Sequence, residues 1–458
     1  MASAAPASDA QAATPEDDTP LERVITRRML LIFVVGDILG AGIYAVVGEV
    51  AGAVGGAIWA AFTLAFLLAL LTAFSYAELV TKYPRAAGAA LYAQRAFRRP
   101  FLTFVIAVAV MASGITSAAT AARAFGGDYL STFVDVPIIP IALGFLLALE
   151  LINFVGISQS VRLNVVLSII EAAGLLFVIG VGAVALTNGS GDVSRAFEFN
   201  AGTAVPLAIL SGAGLAFFSF VGFEDSVNVA EEVKDPRRAY PPAVFGGLLI
   251  AFVIYLLVTL TASIVVDPAT LADSDGPLLE VVRAGAPALD ERLFAAVALV
   301  AVSNTALINL IMASRLLYGL ARQGIVPAFF GRVHGATKTP WIAIVATALV
   351  GAVLVSTGEL DGLASTTVVL LLIVFTIVNV AVIVLRREDV EHEHFRAPTF
   401  LPVLGALSSG GLVLYRLFSD PAALLRAGIL IGVGILLYAL NRAVSGRVET
   451  FDAERLEM

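Results

Sequence analysis

The sequence predicts an all-α integral membrane protein with about twelve transmembrane helices, and three observations carry that expectation. Of its 458 residues, 59% are hydrophobic and 14% charged, with a mean hydropathy of +0.94; soluble domains carry about a quarter charged residues. Twelve apolar stretches follow one another, near 29–48, 53–79, 101–123, 137–156, 163–187, 203–230, 242–266, 290–320, 340–357, 363–385, 400–417 and 424–442. Each approaches the roughly 20 residues that cross about 30 Å of hydrocarbon, and none alternates apolar and polar residues as barrel strands do. The third observation is charge. With the amino terminus on the cytoplasmic side, all but Arg123, Arg195, Arg283, Arg292, Arg416 and Arg426 of the 28 basic residues fall in cytoplasmic loops or tails. Basic residues mark cytoplasmic loops. One missed helix would scramble that split, so it supports the count and places both termini inside at the plasma membrane.

Residues 1–22 open with "MASAAPASDAQAATPEDDTP", which has neither the basic start nor the apolar centre of a signal peptide, and read as a disordered cytoplasmic tail. Residues 444–458 read as a second such tail. The net charge of −8 is spread over loops and tails, with no basic stripe for nucleic acid. The absence of cysteine excludes disulfides and thiolate chemistry. His334, His392 and His394 fall in loops, and "EHEH" at 391–394 lacks the helical spacing of a zinc site. No phosphate loop or nucleophile elbow is present. No enzyme, metal or cofactor is expected.

Two stretches break the apolar pattern where a spanning helix needs continuous hydrogen bonding. In "FVVGDILGAGIYAVVGE", 33–49, Asp37 precedes Gly40-Ala41-Gly42. In "SGAGLAFFSFVGFEDSVNVAEEVKDPRRAYP", 211–241, Gly222 is followed by Glu224 and Asp225. Unpaired backbone groups are costly in lipid, so such breaks survive only where they line a cavity or are buried in protein. Most glycines here, such as "GAVGGA" at 52–57, read as close helix packing. The two breaks differ because each carries acid and each begins a group of five helices. Paired interruptions in matching positions of two halves point to an inverted-repeat transporter, with the breaks meeting near the midplane. Freed amides suit a carboxylate, and freed carbonyls suit an ammonium or a cation.

These motifs carry a resemblance. "GDILGAGIY" and "FFSFVGFED…AEEVKDPRRAYP" resemble the first and sixth helix motifs of the amino acid–polyamine–organocation (APC) permease superfamily. "ELVTKYPRAAGAALYAQRAF", 78–97, and "NTALINLIMASRLLYGLARQGIVPAFFGRVHGATKTPW", 304–341, are similar to its second-helix exit with a short loop helix and to its eighth helix. The resemblance implies five-plus-five inverted repeats with helices one and six broken. The transporter core would span 23–398, its halves about 29–187 and 203–385, and two additional helices would occupy 399–443. By the same resemblance, Ile38, Gly40, Ala41 and Gly42 match a substrate-carboxylate motif. Phe218, Ser219, Val221, Gly222 and Phe223 match its helix-six counterpart, Phe218 where relatives place an aromatic that closes over the ligand.

Glu224 matches a common acidic position; a structural hydrogen bond that ties the unwound segment together is the competing reading. Asp225 stands where relatives often carry a small residue. Glu171 occupies a place where proton-coupled relatives carry lysine, so it is a candidate for proton binding, for holding a cation, or for fastening helix one. Asp37 lies beside that region by analogy and joins Glu171 as a candidate coupling pair. Asn304 and Thr305 can offer oxygens to a cation or bond between helices. Ser113, Ser117 and Thr120 share a helix face and either line a cavity or pack. The expected function is secondary active transport of an amino acid or related organic amine by alternating access, coupled to protons rather than sodium. Small and aromatic site residues favour a neutral substrate, while Asp37, Glu224 and Asp225 leave a cationic amino acid or polyamine open. An obligate exchanger and a membrane nutrient sensor that binds without transport are the alternatives. The sequence carries no signal of oligomeric state.

Overall fold

The computed structural model describes residues 23–85, 88–155 and 161–445. The tail expected at 1–22 lies outside the described residues, as does the one at 444–458 from residue 446 onward. Sixteen α-helices follow in order: α1 (Arg27–Ile38), α2 (Ala41–Val54), α3 (Ile58–Lys82), α4 (Gly88–Phe97), α5 (Pro100–Ala124), α6 (Ile138–Val155), α7 (Val161–Thr187) and α8 (Val205–Ala216). Then come α9 (Pro236–Val265), α10 (Pro268–Ala272), α11 (Pro277–Gly285), α12 (Glu291–Arg322), α13 (Trp341–Thr357), α14 (Leu360–Leu385), α15 (Phe400–Ser419) and α16 (Pro421–Ser445). Among the described residues the only extended pairing is an isolated bridge between Ile25 and Val233.

Among the described residues, eleven helical spans are long and apolar enough to cross a membrane. The stretch expected near 340–357 forms α13, apolar but only 17 residues long. At 1.5 Å per residue it measures about 26 Å, short of the hydrocarbon thickness. Its anchorage is polar: Glu150 of α6 accepts hydrogen bonds from Asn153 (3.0 Å) and from Thr347 of α13 (3.2 Å), and Asn153 also bonds Ser314 of α12. The outward faces of the spans carry large apolar side chains. Leu147 and Leu151 of α6 and Leu407, Leu414 and Phe418 of α15 are all exposed, the arrangement expected when the surrounding solvent is lipid.

Sequence reading placed α4, the loop helix at 88–97, but not the short helices α10 and α11, whose polar residues hide a packing role. Gly48 of α2 lies against the Leu271 carbonyl, where a Cβ would approach to 2.3 Å. Asp128 accepts from Ser274 (2.8 Å) and Gly276 (3.2 Å), and the Tyr129 hydroxyl donates to the Tyr44 carbonyl of α2 (2.8 Å). The first turn of α2 is thereby held against the end of the third span. At the other end, the Ile25 amide donates to the Glu232 carbonyl and Lys234 returns a bond to Ile25, joining the chain before α1 to the chain after the second break.

Candidate functional site

The two sequence breaks meet. α1 ends at Ile38, Leu39 and Gly40 leave helical geometry, and α2 starts afresh at Ala41. α8 ends at Ala216, a 3-10 turn runs from Phe217 to Phe220, Val221 is extended, and Gly222 takes φ +126°. The backbones are so close that side chains are excluded between them. A Cβ on Gly222 would stand 2.7 Å from the Asp37 carbonyl oxygen, and one on Gly42 would stand 2.5 Å from the Ser219 Cα. Only glycine suits both positions, since Gly222 also holds a conformation that L side chains rarely adopt.

The freed backbone groups find partners from other spans. Thr305 of α12 accepts from the Ala41 amide at 2.9 Å, taking one of the orphan donors that begin α2. The Tyr255 hydroxyl of α9, fully buried, donates to the Ile38 carbonyl and to the Ser219 carbonyl (3.1 Å). One phenol therefore spans both breaks. Sequence reading missed Tyr255; a lone tyrosine deep in a long apolar helix was the available signal, because a buried phenol needs a partner. Glu224 accepts from the Gly222 amide at 2.9 Å, a local bond within the unwound segment of span six.

Between the breaks lies a cavity of about 30 Å³, lined from span one by Gly36, Asp37, Ile38, Gly40, Ala41 and Gly42. Span six adds Phe218, Val221, Gly222 and Asp225; the third and eighth spans add Ser117, Asn304, Thr305, Ile308 and Asn309. Asp37 and Asp225 are the charged residues of this lining, which contains no basic residue. Asn309 and Ile308 were not anticipated. Asn309 donates to the Thr305 carbonyl at 2.9 Å, one turn along α12 from the residue that holds Ala41.

Other expected residues stand apart from the lining. Phe223 packs between Tyr76 and Phe375, at ring separations of 5.8 and 5.6 Å. Ser113 turns back to the Val110 carbonyl and Thr120 to that of Thr116, leaving Ser117 as the member of that stripe at the cavity. Ser219 lies behind its own backbone, its hydroxyl buried and unbonded. Glu171 of α7 is fully buried behind Asn304, which donates to it at 3.2 Å, while its second carboxylate oxygen has no partner. The Tyr44 hydroxyl of α2 donates to the Glu171 carbonyl at 3.0 Å. Asp37 and Asp225 line the cavity together, whereas Glu171 is not part of its lining. Among the described residues no group of His, Cys, Asp and Glu is arranged to hold a metal ion.

Residues 25–437 match the family described as Amino acid permease. The chain belongs to the amino acid permease family. It is thereby an APC superfamily transporter rather than an enzyme, and a multi-pass membrane protein. This permease is 29% identical to the cationic amino acid transporter 9, chloroplastic, of Arabidopsis thaliana, over 67% of its own length and 56% of the relative's. The chain therefore spans little more than half of that protein. It is 25% identical to the branched-chain amino acid permease BcaP of Bacillus subtilis, over 89% of each chain. To the methylthioribose transporter of Bacillus subtilis it is 27% identical, over 92% of this chain and 93% of the relative.

Proposed function

We propose that this permease moves an amino acid or related organic amine across the plasma membrane by alternating access, driven by protons, about the cavity between spans one, three, six and eight. The observation that carries the reading is the confrontation of the two breaks. The amide-bearing start of α2 faces the carbonyl-bearing end of α8 across a cavity that contains two carboxyls and no cation. Amides and the positive end of a helix dipole favour a carboxylate; carbonyls and acids favour an ammonium. A zwitterion meets both. Ile38, Phe218, Val221 and Ile308 supply an apolar wall for a side chain. About 30 Å³ admits a water-sized occupant rather than an amino acid, so loading requires Phe218 and the two breaks to draw apart.

Twelve spans arranged as two inverted groups of five plus two, with α13 as the ninth, fit this mechanism. Relatives bearing names as different as branched-chain amino acid permease and methylthioribose transporter leave the substrate to the cavity itself. Asp37 and Asp225 in the lining favour a second reading, a cationic amino acid or a diamine, whose extra ammonium one of these acids would receive.

For coupling, Glu171 is the candidate carrier, buried without a cation and bonded to the same α12 that holds the start of α2. The deciding experiment is uptake into proteoliposomes under an imposed pH gradient. Saturable uptake that rises with external acidification supports the reading; saturable binding with neither uptake nor exchange would make the protein a sensor. Glu171→Gln should abolish the response to the gradient while counterflow persists. Unchanged proton dependence would remove Glu171 from the role.

A further inference from the structure

The cavity between the breaks holds more acceptors than its own walls satisfy. Asp37 Oδ2 and Asn304 Oδ1 are buried without a hydrogen-bond partner, and both residues line the cavity. Asn304 is 4% exposed and its amide nitrogen already donates to Glu171, so its oxygen is the group left over. Asn309 likewise gives its amide nitrogen to the Thr305 carbonyl. Asp225 adds a half-buried carboxyl to the same lining, whereas its neighbour Glu224 is committed to the Gly222 amide. Arg416 of α15 is also buried, with Nε and Nη2 unused, but it lies on Gly214 of α8 and beside Asp420, outside the lining. Membrane-embedded acids and a buried oxygen without a donor are costly and call for a cationic occupant.

Charge narrows the occupant further. The lining offers two acids, Asp37 and Asp225, and one helix start, that of α2. A neutral amino acid brings a carboxylate to the helix start and an ammonium to one acid, leaving the other acid without a counter-charge. A diamine matches both acids and leaves the helix start empty. An amino acid with a second ammonium on its side chain meets all three. The contacts between the breaks set the order of these groups. Ser219 lies against Gly42 and Gly222 against Asp37, and the Asp225 amide closes a turn onto the Gly222 carbonyl. Asp225 therefore lies beyond Asp37 as span six leads away from the start of α2. A void of about 30 Å³, the size of one water, is also the size of one –NH3+ head.

We infer that Asp225 is the receiving group for a side-chain ammonium, and that the substrate class is the cationic α-amino acid. This inference rests on the proposed function, whose cavity it uses. The α-carboxylate meets the start of α2, the α-ammonium meets Asp37, and the side-chain ammonium reaches Asp225. Ser117 and Asn309, which line the same cavity from the third and eighth spans, offer that second ammonium neutral oxygens. A single carboxyl on span six thus sets the preference among amino acids, because a neutral side chain would leave it buried and uncompensated.

The test is thermal-shift titration of the purified full chain with three ligands: L-lysine, L-norleucine, which lacks only the side-chain amine, and cadaverine, which lacks only the carboxylate. Lysine is expected to bind about tenfold more tightly than either, or better. Asp225→Asn should reduce the advantage of lysine over norleucine by about tenfold. Equal affinities for lysine and norleucine in the wild type would overturn the assignment, and that comparison decides the matter if Asp225→Asn does not fold. So would cadaverine binding as tightly as lysine, or an undiminished lysine preference in folded Asp225→Asn. Lysine-selective binding with neither uptake nor exchange in proteoliposomes would sink the transport reading and leave the role of Asp225 standing; uptake of norleucine but not of lysine would do the reverse.

Discussion

The first break is short and the second is long, and the two present different backbone groups. In span one, two residues separate two proper α-helices, so the cavity meets a fresh helix start whose Ala41 amide is held by Thr305. In span six, helical order stops at Ala216, and the continuation from Asp225 to Glu232 is 3-10 rather than α. Local chemistry explains the difference. Asp225, Ser226 and Asn228 compete for backbone groups, and Ser226 donates to the Phe223 carbonyl at 2.7 Å. Glu224 takes the Gly222 amide. Span one therefore offers amide donors and the positive end of a helix dipole beside one acid, Asp37, whereas span six offers carbonyls and one acid, Asp225. Under the proposed function, asymmetry between the breaks, rather than their mere presence, would suit them to a ligand charged differently at its two ends.

The largest effect expected of a single change falls where the breaks touch. Gly222→Val forces a β-branched residue to φ +126° and drives its Cβ to 2.7 Å from the Asp37 carbonyl, costing about 3 kcal/mol or more. Uptake should vanish and the melting temperature fall; a Gly222→Val protein with normal uptake would break the claim that close approach is required. Next is Tyr255→Phe, which strips the shared donor from Ile38 and Ser219. Leaving two buried carbonyls short of a partner should cost about 1–3 kcal/mol. Loss of transport beyond the loss of stability would indicate that the phenol coordinates both breaks.

Thr305→Val tests span one alone. It leaves the Ala41 amide unpaired at a cost of about 1 kcal/mol, and should weaken binding of carboxylate-bearing ligands in a thermal-shift titration while Thr305→Ser restores it. A variant that weakens amine-only ligands equally would contradict the division of labour between the breaks. The smallest effect separates two neighbouring phenylalanines of span six. Phe218→Leu should change the substrate profile, because Phe218 lines the cavity. Phe223→Leu should leave that profile unchanged and alter only stability, because Phe223 packs on Tyr76 and Phe375.

Much of this was legible before any coordinates. Helix breaks announce themselves because glycine and acid inside an apolar run oppose the one demand that lipid makes of a backbone. Gly40, Gly42 and Gly222 were found that way, and the close approach of Gly42 to Ser219 and of Gly222 to Asp37 follows from the pairing of the breaks. Ser113 and Ser117 share a helix face, yet only Ser117 lines the cavity; periodicity fixes the face but not what lies opposite. Tyr255 and Asn309 stayed hidden because a polar group on an apolar helix looks alike whether it bonds its own turn or another span. Arg416 was counted as one of six basic residues on the side opposite the amino terminus, a placement by charge that said nothing of its burial.

The sequence by itself determined that this chain is a bundle of membrane helices, with two spans interrupted at particular glycines beside particular acids. That information is local: hydropathy, helix period and backbone freedom are properties of neighbouring residues. Only the tertiary structure decided which acids face the cavity, which hydroxyl joins the breaks, and which arginine keeps unused donors. Those are meetings between residues up to hundreds of positions apart, set by how whole helices pack rather than by any stretch read alone.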